Sequence, residues 1–147
     1  MIIREFDIDD IDEITVLMKK LCALKGQDFD EVRWRNSLEN QVKIDSDLEV
    51  IVAFDKVTEQ VLGMAHCSIR NSEEGSRFGV VSNLIVKEEK RRSGIGEQLM
   101  KQAIDYFRRN HIHSVRLALK TSLNDPAKIL FKRLDFKEIL RIYELNL

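Results

Sequence analysis

Proline occurs once, at Pro126, and cysteine twice, at Cys22 and Cys67. The chain therefore lacks both the proline-rich composition of a linker and the thiols of a disulfide framework. The two cysteines also lack zinc-ligand spacing and read as reduced, partly buried thiols. An excess of one charge is missing too: 24 Lys and Arg against 25 Asp and Glu leave a net charge of −1 and a pI near 6.3. Non-specific nucleic-acid binding normally needs a strong basic excess, so the charge balance argues against that role. The run Lys87 to Arg92 mixes four basic with two acidic residues and is no polybasic arm. No apolar run is long enough to span a bilayer, and acidic residues from Glu5 onward do not suit a secretory leader. A cytoplasmic location, with neither nucleic-acid nor membrane partners, is the default expectation. Repeats, low-complexity stretches and linkers are absent as well.

What is present suits one soluble globular domain over residues 1–147, with 44% hydrophobic and 33% charged residues. A short strand is expected at Ile2 to Glu5, then a helix from about Ile11 to Ala23. That helix has a plausible capping box in Asp10-x-x-Glu13 and apolar residues Ile11, Ile14, Leu17, Met18 and Leu21 at helical spacing. A second helix is expected over Phe29 to Asn40, capped by Asp28 or Asp30. Glu49 to Phe54 and Gln60 to Ile69 read as a hairpin turning at Asp55 to Glu59, followed by a polar turn over Asn71 to Gly79. The strand Val80 to Val86 leads to a helix from Gly94 to Asn110, with Ile95, Leu99, Ala103 and Phe107 as its buried stripe. Ser114 to Leu119 is expected as a strand, Asp125 to Leu134 as a helix and Phe136 to Leu145 as a final strand or bent strand pair. This order implies a mixed α/β sheet with helices on both faces.

The most informative stretch is Arg91-Arg92-Ser93-Gly94-Ile95-Gly96, which lies between an apolar strand and an amphipathic helix. Amide groups at a helix start are unpaired and sit at the positive end of its dipole, so they hold anions well. Gly94 and Gly96 let a pyrophosphate approach the main chain, and two arginines add positive charge. The dinucleotide fingerprint does not fit, because Leu99 stands where a third glycine belongs, and no Gly-Lys-Ser/Thr triplet occurs.

This segment resembles the cofactor-binding motif of the GNAT superfamily of N-acetyltransferases, Arg/Gln-x-x-Gly-x-Gly/Ala after a strand ending here in Asn83-Leu84-Ile85-Val86. Asn124 to Phe136 resembles a second family element, Asn-x-x-Ala-x-x-Leu-Tyr-x-x-x-Gly-Phe, with Asp125 and Pro126 suited to start a helix. The resemblance implies a single-domain GNAT-like fold: a mixed, mostly antiparallel sheet, splayed after Val80–Val86 to admit acetyl-CoA. It also implies direct transfer of the acetyl group to a primary amine. Leu84, Ile85, Val86, Arg91, Arg92, Ser93, Gly94, Ile95, Gly96, Asn124, Ala127 and Phe131 would contact the cofactor, and a main-chain N–H near Leu84 would be the oxyanion donor. A small-molecule or peptide amine would be the acceptor, and a homodimer is common among similar proteins. A non-catalytic acyl-CoA-binding module of the same fold is the alternative.

Two departures from the pattern bear on catalysis. Phe131 stands where a tyrosine acid is frequent, and Ser82 where a glutamate is. Asp135 replaces the glycine of Gly-Phe, which alters the turn. His66 is the candidate general base, against a structural histidine. Glu49, Glu73 and Glu74 read either as a water-linked proton relay or as solvated carboxylates, and Tyr143 as a last-strand residue within reach of the site or as simple packing. Tyr106 reads as core. Asn124 is a pantetheine contact or a turn residue, Lys132 and Arg133 are outer phosphate contacts or surface charge, and Trp34 lines the acceptor cavity or anchors its helix. No metal site is expected.

Overall fold

A computed structural model describes residues 1–44, 47–91, 93–119 and 126–147. Its sheet has the order β1-β2-β3-β4-β5, formed by β1 (Ile2–Glu5), β2 (Leu48–Asp55), β3 (Gln60–Asn71), β4 (Arg77–Val86) and β5 (Val115–Arg116). The first four strands run antiparallel, and β5 lies parallel to β4. Four helices complete the described fold: α1 (Ile11–Leu24), α2 (Glu31–Ile44), α3 (Ile95–Arg109) and α4 (Pro126–Arg133).

Each face of the sheet has its own core. On one face Val50, Val52, Val61, Met64 and Ile85 pack with Ile11, Ile14 and Leu17 of α1 and Leu38 of α2. On the other, Ile51, Ala53, Ala65, Cys67, Ile69 and Val81 pack with the α3 stripe. Leu99, Ala103 and Phe107 are wholly buried and Ile95 is 5% exposed, as the four-residue spacing requires. At Gly79 the sheet and α3 touch so closely that an added Cβ would lie 2.6 Å from the Phe107 ring.

Several expected boundaries move for local reasons. The box expected at Asp10 and Glu13 forms one turn earlier, between Asp7 and Asp10 of a 3-10 turn (Ile8–Asp10). Asp10 is engaged by Arg4 at 2.7 and 2.9 Å and by the Asp7 amide at 2.8 Å, while Glu13 accepts the Val61 amide at 2.8 Å. Burial raises the Asp10 pKa, but the hydrogen bonds from Arg4 and the Asp7 amide outweigh it and hold the carboxyl below its ordinary value. Asp30 does cap the second helix, accepting the Arg33 amide at 3.1 Å, and that helix runs on to Ile44.

The largest corrections fall at the C-terminal side. The strand expected over Ser114 to Leu119 keeps only the two ladder residues Val115 and Arg116. No strand forms over Phe136 to Leu145, and Ile142 and Tyr143 are 83% and 87% exposed. Those residues have the apolar content of a strand but pair with no strand among the described residues.

Candidate active site

The site begins with a parity break in β4. Gly79 N–H donates to Ser114 on the β5 side at 2.8 Å, whereas Lys87 N–H donates to Leu62 on the β3 side at 2.8 Å. In a regular strand, residues an even number apart point the same way. Here they point oppositely because β4 carries one extra residue: Met64 pairs with Ile85 and His66 with Ser82, so Asn83 and Leu84 together oppose Ala65. Asn83 takes the left-handed conformation at φ 56°, which asparagine tolerates better than most residues. The bulge returns Ile85 to the α1/α2 face, and Leu84 and Val86 pack on the α3 face. It also directs the main-chain groups of Leu84 and Val86 toward the side from which β5 has parted. β5 pairs only with Gly79 and Val80, so the later half of β4 borders the splay.

β4 then runs into the glycine-bearing start of α3. A 3-10 turn (Glu88–Lys90) leads to Arg91, and Ser93 Oγ donates to the Lys90 carbonyl, fixing the loop. Gly94 is the α3 N-cap at φ 84°, a left-handed position where glycine avoids strain. Gln98 N–H to Gly94 O, at 3.1 Å, is the first α-helical bond here, so the amides of Ile95, Gly96 and Glu97 precede the ladder. Gly96 needs a different explanation. A Cβ there would meet only ordinary contacts, Leu130 at 3.7 Å and Val86 at 3.8 Å. The fold itself does not require this glycine; close approach of a ligand to its backbone would. The Glu97 carboxylate is held by Arg133 at 3.6 Å, which limits its opposition to an incoming anion. Arg133 is exposed, and this ion pair accords with its reading as surface charge.

α4 closes the flank of the cradle. Leu130, Phe131 and Phe136 pack on the α3 core, with Phe131 and Phe136 edge to face at 5.8 Å. Asp135 adopts φ 66°, and Phe136 N–H returns to Phe131 O at 2.9 Å, so the aspartate takes the left-handed C-terminal turn that glycine favours. Ala127 is half-buried on the same helix. Arg92 and Asn124 lie outside the described residues.

The opposite face of the sheet carries the polar side chains. His66, paired with Ser82 and sharing a face with Val50, has Nδ1 3.5 Å from Asn83 Nδ2. Burial, then the charge of Arg70, pulls the imidazole pKa below its ordinary value, so the ring is neutral at pH 7. His66 Nε2, Ser68 Oγ and Trp34 Nε1 are buried without hydrogen-bond partners among the described residues. Trp34 packs on the α1/α2 core and lies 6.5 Å from the Phe29 ring. Asn83 is the residue the sequence reading missed as a partner for His66; its place in the strand motif was visible, but the bulge that turns it was not.

The other acid and base candidates separate from this group. Glu73 and Glu74 are exposed, and Tyr106 is a 7%-exposed core residue. Tyr143 lies on the exposed C-terminal segment, so it belongs to no last strand. Glu49 sits across the sheet from His66: it pairs with Cys67 on the α3 face and is only half-buried, not a solvated carboxylate. Burial first, then the hydrogen bond and charge of Glu5, raises its pKa to about 7. Burial and Glu49 push the Cys67 thiol up to about 12. No described helix is long and apolar enough to cross a membrane, and no described cluster of His, Cys, Asp and Glu would hold a metal.

Comparison with known proteins agrees with this geometry. Residues 15–136 match the family described as "Acetyltransferase (GNAT) family". No curated protein matches the chain. Among solved structures, a transcriptional regulator from Bacillus halodurans is 20% identical, with TM-score 0.82 over 99% of both chains. The aminoglycoside antibiotic 6'-N-acetyltransferase AAC(6')-IG from Acinetobacter haemolyticus is 19% identical, with TM-score 0.81 over 99% of this chain and 97% of that one. A predicted acetyltransferase from Clostridium acetobutylicum, solved with acetyl-CoA, is 16% identical, with TM-score 0.79 over 99% and 95%. These likenesses concern the fold; the family match extends over most of the sequence. With a bulged β4, a splay beside it and a glycine-opened helix start, the chain belongs to the acetyltransferase (GNAT) family.

Proposed function

We propose that this protein transfers the acetyl group of acetyl-CoA to a primary amine by direct attack. The reading rests on one observation: the bulge aims the main chain of Leu84 and Val86 into the splay at the same end of β4 that leads to the α3 cradle. A ligand with a pyrophosphate at one end and an extended amide-bearing arm matches both features. The Ile95 and Gly96 amides and Arg91 take the phosphates, joined by Arg92 and by Asn124 at the arm. Leu84, Ile85 and Val86 flank the arm, while Ser93 and Gly94 shape the loop and Ala127 and Phe131 wall the flank.

When bound, acetyl-CoA supplies the activated acetyl carbonyl. The Leu84 N–H donates to the carbonyl oxygen as it gains charge, a fixed donor on the order of 10²-fold in rate. An alkyl amine has a pKa near ~10.4, so roughly one molecule in a thousand is nucleophilic at neutral pH. His66 accepts the surplus proton at Nε2. With the Asn83 amide turned so that Oδ1 receives Nδ1–H, the Nε2 lone pair is free. The nitrogen–carbon bond forms, the carbon–sulfur bond breaks, and the thiolate departs. A thiol with pKa near ~8.5 leaves without an obligatory acid, which suits Phe131, whose ring cannot donate a proton.

Calorimetric titration with acetyl-CoA tests the cradle, with Gly96→Glu as its control. Micromolar binding, weakened at least about 100-fold in the variant, is expected, followed by acetyl transfer in an amine screen. Binding without transfer to any amine would favour the non-catalytic module. Absence of binding by folded protein would end the proposal.

A further inference from the structure

Three polar residues follow one another along β3 on the α1/α2 face: His66, Ser68 and Arg70. Their pairing with Ser82, Val80 and Phe78 is regular over this stretch, so alternate residues share a face. The intervening Cys67 and Ile69 pack on the α3 side. Beside the bulge, His66 Nε2 is buried without a partner among the described residues, and so is Ser68 Oγ. Arg70 is exposed at the far end of the row. Its charge reaches His66 and, after burial, is the second cause that lowers the imidazole pKa.

A second arginine comes to the same place from β5. Arg116 pairs with Val80, which sets it on this face, and its guanidinium lies 4.0 Å over the ring of Phe78. Phe78 is the residue directly opposite Arg70, and opposed Cβ atoms of an antiparallel pair lie roughly 5 Å apart. Arg70 therefore stands beside the half-buried ring that carries Arg116. Stacking uses the flat face of the guanidinium and leaves its N–H edge free to donate. Arg4, Arg35 and Arg77 each hold a carboxylate, but neither Arg70 nor Arg116 has a carboxylate partner among the described residues. Glu73 and Glu74 in the turn after β3 are exposed and pair with neither. Two like charges held on one patch repel each other, and an anion bound between them reverses that.

We infer that the acceptor is a small anionic amine, whose carboxylate or phosphate is held by Arg70 and Arg116 while its amine stands at His66. The inference rests on the acetyl transfer proposed above and names its substrate class. His66 and Arg70 are four residues apart on one strand, roughly 13 Å between Cα atoms. The arginine side chain covers part of that span, which leaves several bonds between amine and anion. Ser68 lies midway with its hydroxyl unpaired, so a polar spacer such as a peptide unit or a sugar ring suits the row better than a hydrocarbon. An amine without an anion would leave both guanidinium groups unused, and a polyamine would be repelled by them.

Matched pairs of amines test this: glycylglycine against its C-terminal amide, and glucosamine 6-phosphate against glucosamine. In at least one pair the anionic member should be acetylated with a kcat/KM at least about 10-fold higher, the scale of one charge-assisted hydrogen bond. Preference in the first pair names a carboxylate as the anion, and preference in the second alone names a phosphate. In Arg70→Gln and in Arg116→Gln that preference should fall about 10-fold, chiefly through KM. Both positions are exposed, so circular dichroism and acetyl-CoA affinity should remain as in the parent and report intact folding. Equal rates within both pairs, or a preference that survives both substitutions, overturn the inference while leaving the transferase reading in place. If none of the four amines is acetylated, calorimetric titration of the same amines into the protein decides the inference alone. Tighter binding of an anionic member, lost in either variant, upholds the site; equal or absent binding ends it.

Discussion

The two faces of the sheet divide the labour differently. Against α3 the contacts are apolar and tight: Gly79 has no room for a methyl group under Phe107, and Leu99, Met100 and Ala103 are fully buried. Against α1 and α2 the core is equally apolar near Ile14 and Val52, but it gives way to His66, Ser68 and Trp34, whose buried polar atoms lack partners among the described residues, where the α3 face has Glu49 Oε2 alone in that condition. Leaving a buried donor or acceptor unpaired costs about 1–3 kcal/mol. A fold keeps such groups where something else satisfies them. On the proposed function, the α3 side holds the cofactor end of the sheet in place and the α1/α2 side meets the acceptor.

The most disruptive change on the packed face is Gly79→Ala. Its new Cβ would fall 2.6 Å from the Phe107 ring, and Phe107 is wholly enclosed, so a loss of about 2–3 kcal/mol is expected by urea denaturation. His66→Gln addresses the other face. Stability and acetyl-CoA affinity should barely move, while kcat falls about 100-fold. The parent rate should drop in acid, below the ordinary histidine range, because burial lowers the His66 pKa; that acid limb should vanish in the variant. An unchanged kcat would return His66 to a structural role.

Glu49 sharpens the contrast by pH. Its folded pKa of about 7 lies above the ordinary 4.5, so the fold favours the protonated form. That stabilisation is full at low pH and is lost as pH rises through about 7. Because the carboxyl is only half-buried, the full shift is discounted for solvent screening to about 1 kcal/mol. Glu49→Gln should therefore match the parent at pH 4 and exceed its stability by about that amount at pH 8, measured by thermal melts. The smallest expected stability effect is at Gly96. Gly96→Ala should change stability by less than about 0.5 kcal/mol, since its methyl group meets only ordinary contacts, yet weaken acetyl-CoA binding. Gly94→Ala should cost about 1 kcal/mol through its φ of 84°. Equal stability losses at the two glycines would show that Gly96 serves packing after all.

Local patterns carried far. The α3 stripe repeats every fourth residue and is buried as that spacing demands, and the hairpin turning after Asp55 forms where its polar residues interrupt two β-rich runs. The glycine-opened start of α3 was legible because it is built from contiguous backbone, and backbone geometry is written in neighbouring glycines. The β4 bulge was not, since an extra residue exists only relative to the partner strand. Glu49 and His66 show the same limit. Both were weighed for proton transfer, His66 against a structural histidine and Glu49 against a solvated carboxylate, but pairing with Cys67 in one case and Val50 in the other puts them on opposite faces. The expected last strand failed for a related reason: Phe136 to Leu145 has strand residues, but whether a strand forms depends on pairing with residues distant in sequence.

Local sequence set the helices and strands of the central region, the glycine-opened start of α3 and the family, because periodicity, glycine placement and charge act between near neighbours. Only the tertiary structure decided which main-chain groups face the splay, which polar atoms lack partners, and where the C-terminal segment finds no support. Those properties depend on strand register and burial, which arise when residues far apart in the chain meet across the sheet.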